Sequence, residues 1–359
     1  MSPKPRIKSN QLFAALLLLA GGATALPGLA QAPQLYRLES AVGFPGAVGG
    51  WDYVTFEPGR GYLYMGRREA GVTVYDTRAG KVVGGIENSA GANAAKLVEE
   101  FDRGYTVNED GSSTVFQIST LKTLDRIKLG DDADNAFYDP ATKQLAFMMG
   151  DSRQIAFVDA KSGALLGKLK MESEKLESSV PDGKGGLLVA ERDRNRVARV
   201  DMKQRKLAGE WPTPGCDQPT GMTIDPAAKR LFIGCRGSKP VLEVLNAENG
   251  RVVASLDIGR GNDGVVYDAA THRIYTSNGV DANVVVYAEL GPDAYKLEQA
   301  FTTRPQARTM ALDPASKKLY LVAAEGAVDP SQPVNHGPAT FYPNRYYPDT
   351  FTLLTYSIR

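Results

Sequence analysis

The chain is 359 residues long and carries a formal charge of +1, with 42 lysines and arginines against 41 aspartates and glutamates. That length allows one large domain or two ordinary ones around a sizeable core. The near balance of charge argues against a dedicated nucleic-acid or anionic-membrane binder and leaves room only for a local basic patch.

The N-terminus reads differently from the rest. Lys4, Arg6 and Lys8 precede an apolar run at 12–25, LFAALLLLAGGATA, and small residues follow in LPGLAQA. A basic start, a short apolar stretch and an A-x-A-like ending describe a secretory signal peptide over 1–30. The cut is expected after Ala30, because Pro33 follows Ala32 directly. The run is shorter than the roughly 20 residues that span a bilayer, so the mature chain is expected to have no transmembrane segment. Export to the periplasm or the cell exterior implies an oxidising compartment.

From residue 31 onward one phrase recurs. It appears as FEPGRGYLY from Phe56, FDRGYTV from Phe101, YDPATKQLAF from Tyr138, VPDGKGGLLV from Val180, IDPAAKRLF from Ile224, YDAATHRIY from Tyr267 and LDPASKKLY from Leu312. Successive starts are 45, 37, 42, 44, 43 and 45 residues apart. A second phrase follows most copies, as in VTVYDTRAGKVVGGI and IAFVDAKSGALLGKL. Each phrase is a pair of alternating apolar runs joined by a turn, so each unit holds four half-buried strands. A four-stranded unit repeating at about 40–45 residues is a propeller blade, and a blade buries both faces only by packing against neighbours round a ring. Residues 31–359 are therefore expected to form an all-β, seven-bladed β-propeller. The last copy ends at FTLLTYSIR without a fourth strand, and QLYRLES at 34–40 resembles the missing one. The N-terminal strand is expected to complete the last blade and seal the ring, removing its open edge.

Strands alternate in direction from the channel outward, so blade-to-blade connections and second-to-third-strand loops share one face, here the top. Cys216 lies in the connection entering blade five and Cys235 ends that blade's second strand. Facing positions at a hairpin's open end meet disulfide geometry, and an exported chain favours the bridge. A zinc site would need further ligands, yet His272 falls in a bottom turn and His336 in a top loop. The run GRGNDG at 259–264 matches G-x-G-x-x-G, but a strand rather than a helix follows, so the nucleotide mechanism is missing. No cofactor and no bound metal are expected.

The top connections bring Asp52, Asn93, Asp134 beside Asn135, Glu177, Gln218, Asp263 and Arg308 to the inner rim. The second-strand ends add Arg67, Asn108, Arg192, Arg236, Asn278 and Glu325. Carboxylates and arginines at one mouth form either a grip for a polar ligand or hard cation or a solvated, self-paired rim. An EF-hand is absent: DDADN at 131–135 lacks the central glycine and terminal glutamate. The longest break in the pattern, an insertion at 326–349 containing DPSQPVNHGPATFYPNRYYPD, is also a top loop and is either a lid or partner surface, or a packed cover. His336 within it has no identifiable nucleophile or orienting carboxylate beside it.

These units resemble the YVTN-type propeller repeat, and the chain over 34–359 is similar to exported YncE-like bacterial β-propeller proteins. The most specific stretches are GWDYVTFEPGRGYLY, CDQPTGMTIDPAAKRLFIGCR, QARTMALDPASKKLY and FTLLTYSI. Blade two departs from the pattern with STLKTL in its turn, and Asn93 stands where relatives often carry histidine. The resemblance implies the fold, the cysteine pair and the Pro-rich last-blade loop, with no common catalytic set. The expected function is an exported, monomeric, non-enzymatic binding scaffold that meets a small molecule or protein partner at the top face and the last-blade loop, with His336 among the ligand-binding candidates. Two alternatives stand beside it. One is a lactonase-like hydrolase with Glu177 or Asp263 as base and an arginine on the oxyanion. The other is a single-stranded DNA binder, which near-neutral charge disfavours.

Overall fold

The computed structural model describes residues 35–332 and 343–358. Among them the chain forms seven four-stranded antiparallel sheets and one two-stranded ribbon. The first strands of the sheets are Val54–Glu57, Ala92–Val98, Ala133–Asp139, Leu176–Pro181, Pro219–Asp225, Asn262–Asp268 and Met310–Leu312. Each touches the next all the way round, and blade seven meets blade one. The architecture is a closed seven-bladed β-propeller.

Closure follows the chain's two ends. Blade seven is built from Met310–Leu312, Leu319–Ala323, Phe351–Ile358 and, outermost, Tyr36–Phe44. The N-terminal strand pairs from Tyr36 against Ile358 to Phe44 against Phe351. The insertion leaves this blade between its second and third strands and carries the ribbon Gly326–Ala327 with Arg345–Tyr346. The expected signal peptide and cleavage point fall on residues outside those described.

Seven hydrophobic clusters, one for each seam between neighbouring blades, make up the core among the described residues. Phe44, Phe351, Tyr320, Trp51 and Leu63 join blade seven to blade one, for example. Burying each such side chain is worth about 1.5–3 kcal/mol, so the ring is held by its seams. This alters one expectation. The second strands are not half-buried: Gln144–Met149, Gly186–Glu191 and Arg230–Cys235 are buried at every position, because blades press on both faces of each.

Blade two corrects the register of its phrase. Its inner strand ends at Val98, and Glu99–Phe101 form a 3-10 turn closed by Asp102 at φ 53°. The equivalent of Phe56 is Leu97 rather than Phe101, since Leu97 faces Gly104 as Phe56 faces Leu63. Leu97 lies midway between Phe56 and Tyr138, so the extra turn accounts for the uneven spacing there.

The outermost strand of every blade shifts register at the same place. The unpaired residues are Val83, Leu124, Leu166, Ala208, Val253, Glu298 and Glu39. A bulge kinks and twists an edge strand, which blunts it against pairing with another chain.

Cys216 and Cys235 form a disulfide with Cα atoms 5.2 Å apart. Pro219, not Cys216, lies opposite Cys235 in the ladder. The bridge therefore reaches back along the connection, where Thr213 Oγ1 donates to the Cys216 carbonyl at 3.0 Å. It pins the entry to blade five against the strand end that carries Arg236. On the chain-entropy model a loop of this length contributes about 3 kcal/mol.

Candidate functional site

The inner strands also bulge, at their top ends. Register shifts fall between Ala92 and Ala94, Ala133 and Asn135, Leu176 and Ser179, Pro219 and Met222, and Asn262 and Gly264. The residues left out of the ladder are Asn93, Asp134, Glu177 with Ser178, Thr220 with Gly221, and Asp263. In blade one, the Asp52 amide donates to the Gly66 carbonyl at 3.0 Å and the Gly66 amide donates to the Tyr53 carbonyl at 3.1 Å, so two residues oppose one. A side chain freed from the ladder is re-aimed by its bulge, and here the bulges surround the channel mouth. Gly66 is required at this crossing: a Cβ there would lie 2.2 Å from the Asn93 carbonyl oxygen.

The result is a cavity of about 440 Å3 at the mouth. Four carboxylates (Asp52, Asp134, Glu177, Asp263) and four arginines (Arg68, Arg192, Arg236, Arg308) line it, with Trp51, Tyr53, Asn344 and Tyr346. Arg308 is the hub. Its Nε donates to Asp263 Oδ2 at 2.8 Å, its Nη2 donates to the Trp51 carbonyl at 2.7 Å, and Nη2 stands 3.5 Å from Asp52 Oδ2. Arg236 reaches Asp263 Oδ2 at 2.5 Å and donates to the Asn262 carbonyl at 2.6 Å. Arg192 pairs with Glu177. Arg68 bridges Glu109 at 2.7 Å and Asp52 at 3.6 Å. Tyr346 roofs one side, its ring edge-on to Trp51 at 4.8 Å and its hydroxyl donating to Gln306 Oε1 at 2.5 Å.

The acids are not equivalent. Burial holds the Asp134 carboxyl well above the usual carboxylate range, helped by the charges of Glu177, Asp52 and Asp263 and by a hydrogen bond with Glu177. Burial and its acidic neighbours thus favour the protonated form of Asp134. Burial also raises Asp52, against the opposing pull of Arg308. Burial pushes the Tyr53 phenol up, so it stays neutral and can donate. Trp51 Nε1, Asp52 Oδ1 and Arg68 Nε are buried without a hydrogen-bond partner among the described residues. No three His, Cys, Asp or Glu side chains among those residues converge as metal ligands.

Asp52, Asp134, Glu177, Arg192, Arg236, Asp263 and Arg308 all reach this cavity. The other sequence candidates sit elsewhere. Arg67 turns back over the Phe351 ring at 4.6 Å. Asn93 donates to the Ala133 carbonyl at 3.0 Å and latches blade two to blade three. Asn108 donates to Ser112 Oγ at 3.0 Å, and Asn278 bonds Asn283 Oδ1 at 2.8 Å. Asn135 accepts from the Ala136 amide at 2.8 Å. Glu325 is exposed beside Thr350. Gln218 lines a separate shallow groove with Asn195 and Asp217. His336 lies outside the described residues. Sequence reasoning passed over Tyr53 and Arg68. Arg68 follows Arg67 directly, and only its left-handed backbone at φ 44° turns one arginine inward and leaves the other in the wall. No pattern in the sequence separates the two.

No protein-family model and no curated protein sequence matches the chain. Solved structures do. A chain of the "Crystal Structure of Mitotic Checkpoint Complex" superposes with TM-score 0.71 at 13% identity, covering 98% of both chains. A chain of "Kuenenia stuttgartiensis Hydrazine Synthase" superposes with TM-score 0.64 at 15% identity, over 77% of this chain and 94% of that one. At such identities the likeness is one of fold, and this chain is a β-propeller like those it resembles.

Proposed function

We propose that this chain is an exported, YncE-like propeller that binds a small anionic ligand in the mouth cavity without transforming it. The observation that carries this reading is the convergence of four guanidinium groups on one cavity in which burial works against the charged form of Asp134. Four carboxylates face four arginines there, and burial disfavours the charged form of two of the acids, Asp134 and Asp52. The unpartnered Trp51 Nε1 and Arg68 Nε add two donors suited to a carboxylate or phosphate oxygen. Export is supported by the leader-like N-terminus and by the disulfide, a bond that persists in oxidising compartments. Native mass spectrometry of protein purified from its own host, followed by calorimetric titration of the compound found, tests the proposal. Arg236→Ala is expected to weaken binding at least about tenfold, a loss of about 1.4 kcal/mol; unchanged affinity defeats the site.

The raised Asp134 carboxyl beside Glu177 favours a second reading, hydrolysis of a lactone or ester. Asp134 would act as general acid, and Glu177, paired with Arg192, as base. This reading requires turnover that disappears in Asp134→Asn. A broad lactone and ester screen without turnover removes it.

A further inference from the structure

Below the mouth, the channel carries one charge that nothing described answers. Lys96 sits on the inner strand of blade two and pairs with Tyr105 in the ladder. The equivalent positions in the other inner strands are Thr55, Phe137, Val180, Thr223, Val266 and Ala311. In this seven-residue layer Lys96 is the only ionisable side chain. The carboxylates above it are held by arginines or by each other. Those at the lower strand ends are turned into their own hairpins: Glu57 accepts from Arg60 and Tyr64, Asp139 from Thr142, Asp225 from the Ala227 amide, and Asp268 from Thr271 and Lys317. Lys96 is half-buried, and among the described residues its ammonium has neither a hydrogen-bond acceptor nor an ion-pair partner. Its nearest feature is the Tyr53 ring, with Nζ 5.9 Å from the centroid. Burial alone lowers its pKa to about 8, with no carboxylate pulling it back.

A ring face at that range attracts a cation weakly and accepts none of its three N–H donors in full. A half-buried ammonium without a protein acceptor is costly to keep. The same group becomes favourable once an anion occupies the channel beside it. Tyr53 lines the mouth cavity and Lys96 does not. We propose that the channel beneath Tyr53 holds a small inorganic anion with the Lys96 ammonium as its charge partner. This site does not depend on the identity, or the existence, of a ligand at the mouth.

Bromide is the probe. Crystals of the wild-type protein soaked in sodium bromide are expected to show an anomalous peak in contact with Lys96 Nζ. In solution, replacing sodium gluconate by sodium bromide at constant ionic strength is expected to raise the wild-type Tm by about 2 °C. The response should be absent in Lys96→Met, and in gluconate that variant should melt above the wild type, because it no longer buries a lone charge. Absence of bromide from Nζ in the wild-type crystal overturns the inference, and this result needs no variant to fold. An equal bromide response in Lys96→Met also overturns it. Bromide found only among Arg192, Arg236 and Arg308 overturns it while leaving the mouth site standing.

Discussion

Six blades break their ladder near the channel and all seven break it at the rim, and the two kinds of bulge have opposite consequences. At the inner strand the bulged residue is Asp134, Glu177 or Asp263, freed from pairing and gathered with its neighbours round one cavity. At the outer strand it is Leu124, Leu166 or Val253, spread round the periphery with no counterpart to meet. The backbone device is the same. Convergence makes the difference: seven inner strands point at one axis, so single unpaired positions become a site, whereas seven outer strands diverge and leave only blunted edges.

The largest effect should come from breaking the inner set at its hub. Arg308→Ala leaves Asp52 and Asp263 facing one another with their shared cation gone, and removing one partner from a buried charge network is strongly destabilising. The expected loss is about 3 kcal/mol, read as a lower urea midpoint at unchanged m. A midpoint within experimental error of wild type would mean that the mouth charges are solvated individually and not coupled.

An intermediate effect tests a position between channel and edge. Glu191 closes the second strand of blade four, and burial together with Glu210 raises its pKa to about 7. Between the ordinary carboxylate value of about 4.5 and that raised value, the folded state holds a proton that the unfolded chain has released. Stability contributed by this group is therefore present at low pH and lost as pH rises toward about 7. Glu191→Gln should flatten the decline in urea midpoint between pH 5 and pH 8; an unchanged decline would assign it to other groups, Asp134 first among them.

The smallest effect belongs to the rim. Leu124 is 46% exposed and unpaired, so Leu124→Lys should change stability by no more than about 0.5 kcal/mol. A larger loss in the same denaturation assay would show that the outer bulges support packing and do more than blunt an edge.

Much of this architecture was legible in residue order. Seven copies of one phrase, a last copy lacking its outer strand and an N-terminal QLYRLES able to supply it are statements about periodicity, which is local. Cys216 and Cys235 were assignable because a hairpin brings its own ends together. The rim acids Asp52, Asp134, Glu177 and Asp263 were found by equivalence, since each occupies the same connection in its blade. Phe101 was placed in register with Phe56 because the phrase matched, and the inserted 3-10 turn was invisible to that match. Asn93, at an equivalent position, serves as a latch between blades.

Sequence by itself determined the number of blades, the way the ring closes and the set of connections that crowd the mouth, because hydrophobic alternation and turn chemistry act over a few residues. The packing of the ring decided that Arg68 and not Arg67 reaches the cavity, that burial raises the Asp134 carboxyl, and that Lys96 finds no acceptor in its layer. Those outcomes depend on distances between side chains some forty residues or more apart and on how much water burial leaves them, and neither quantity is written along the chain.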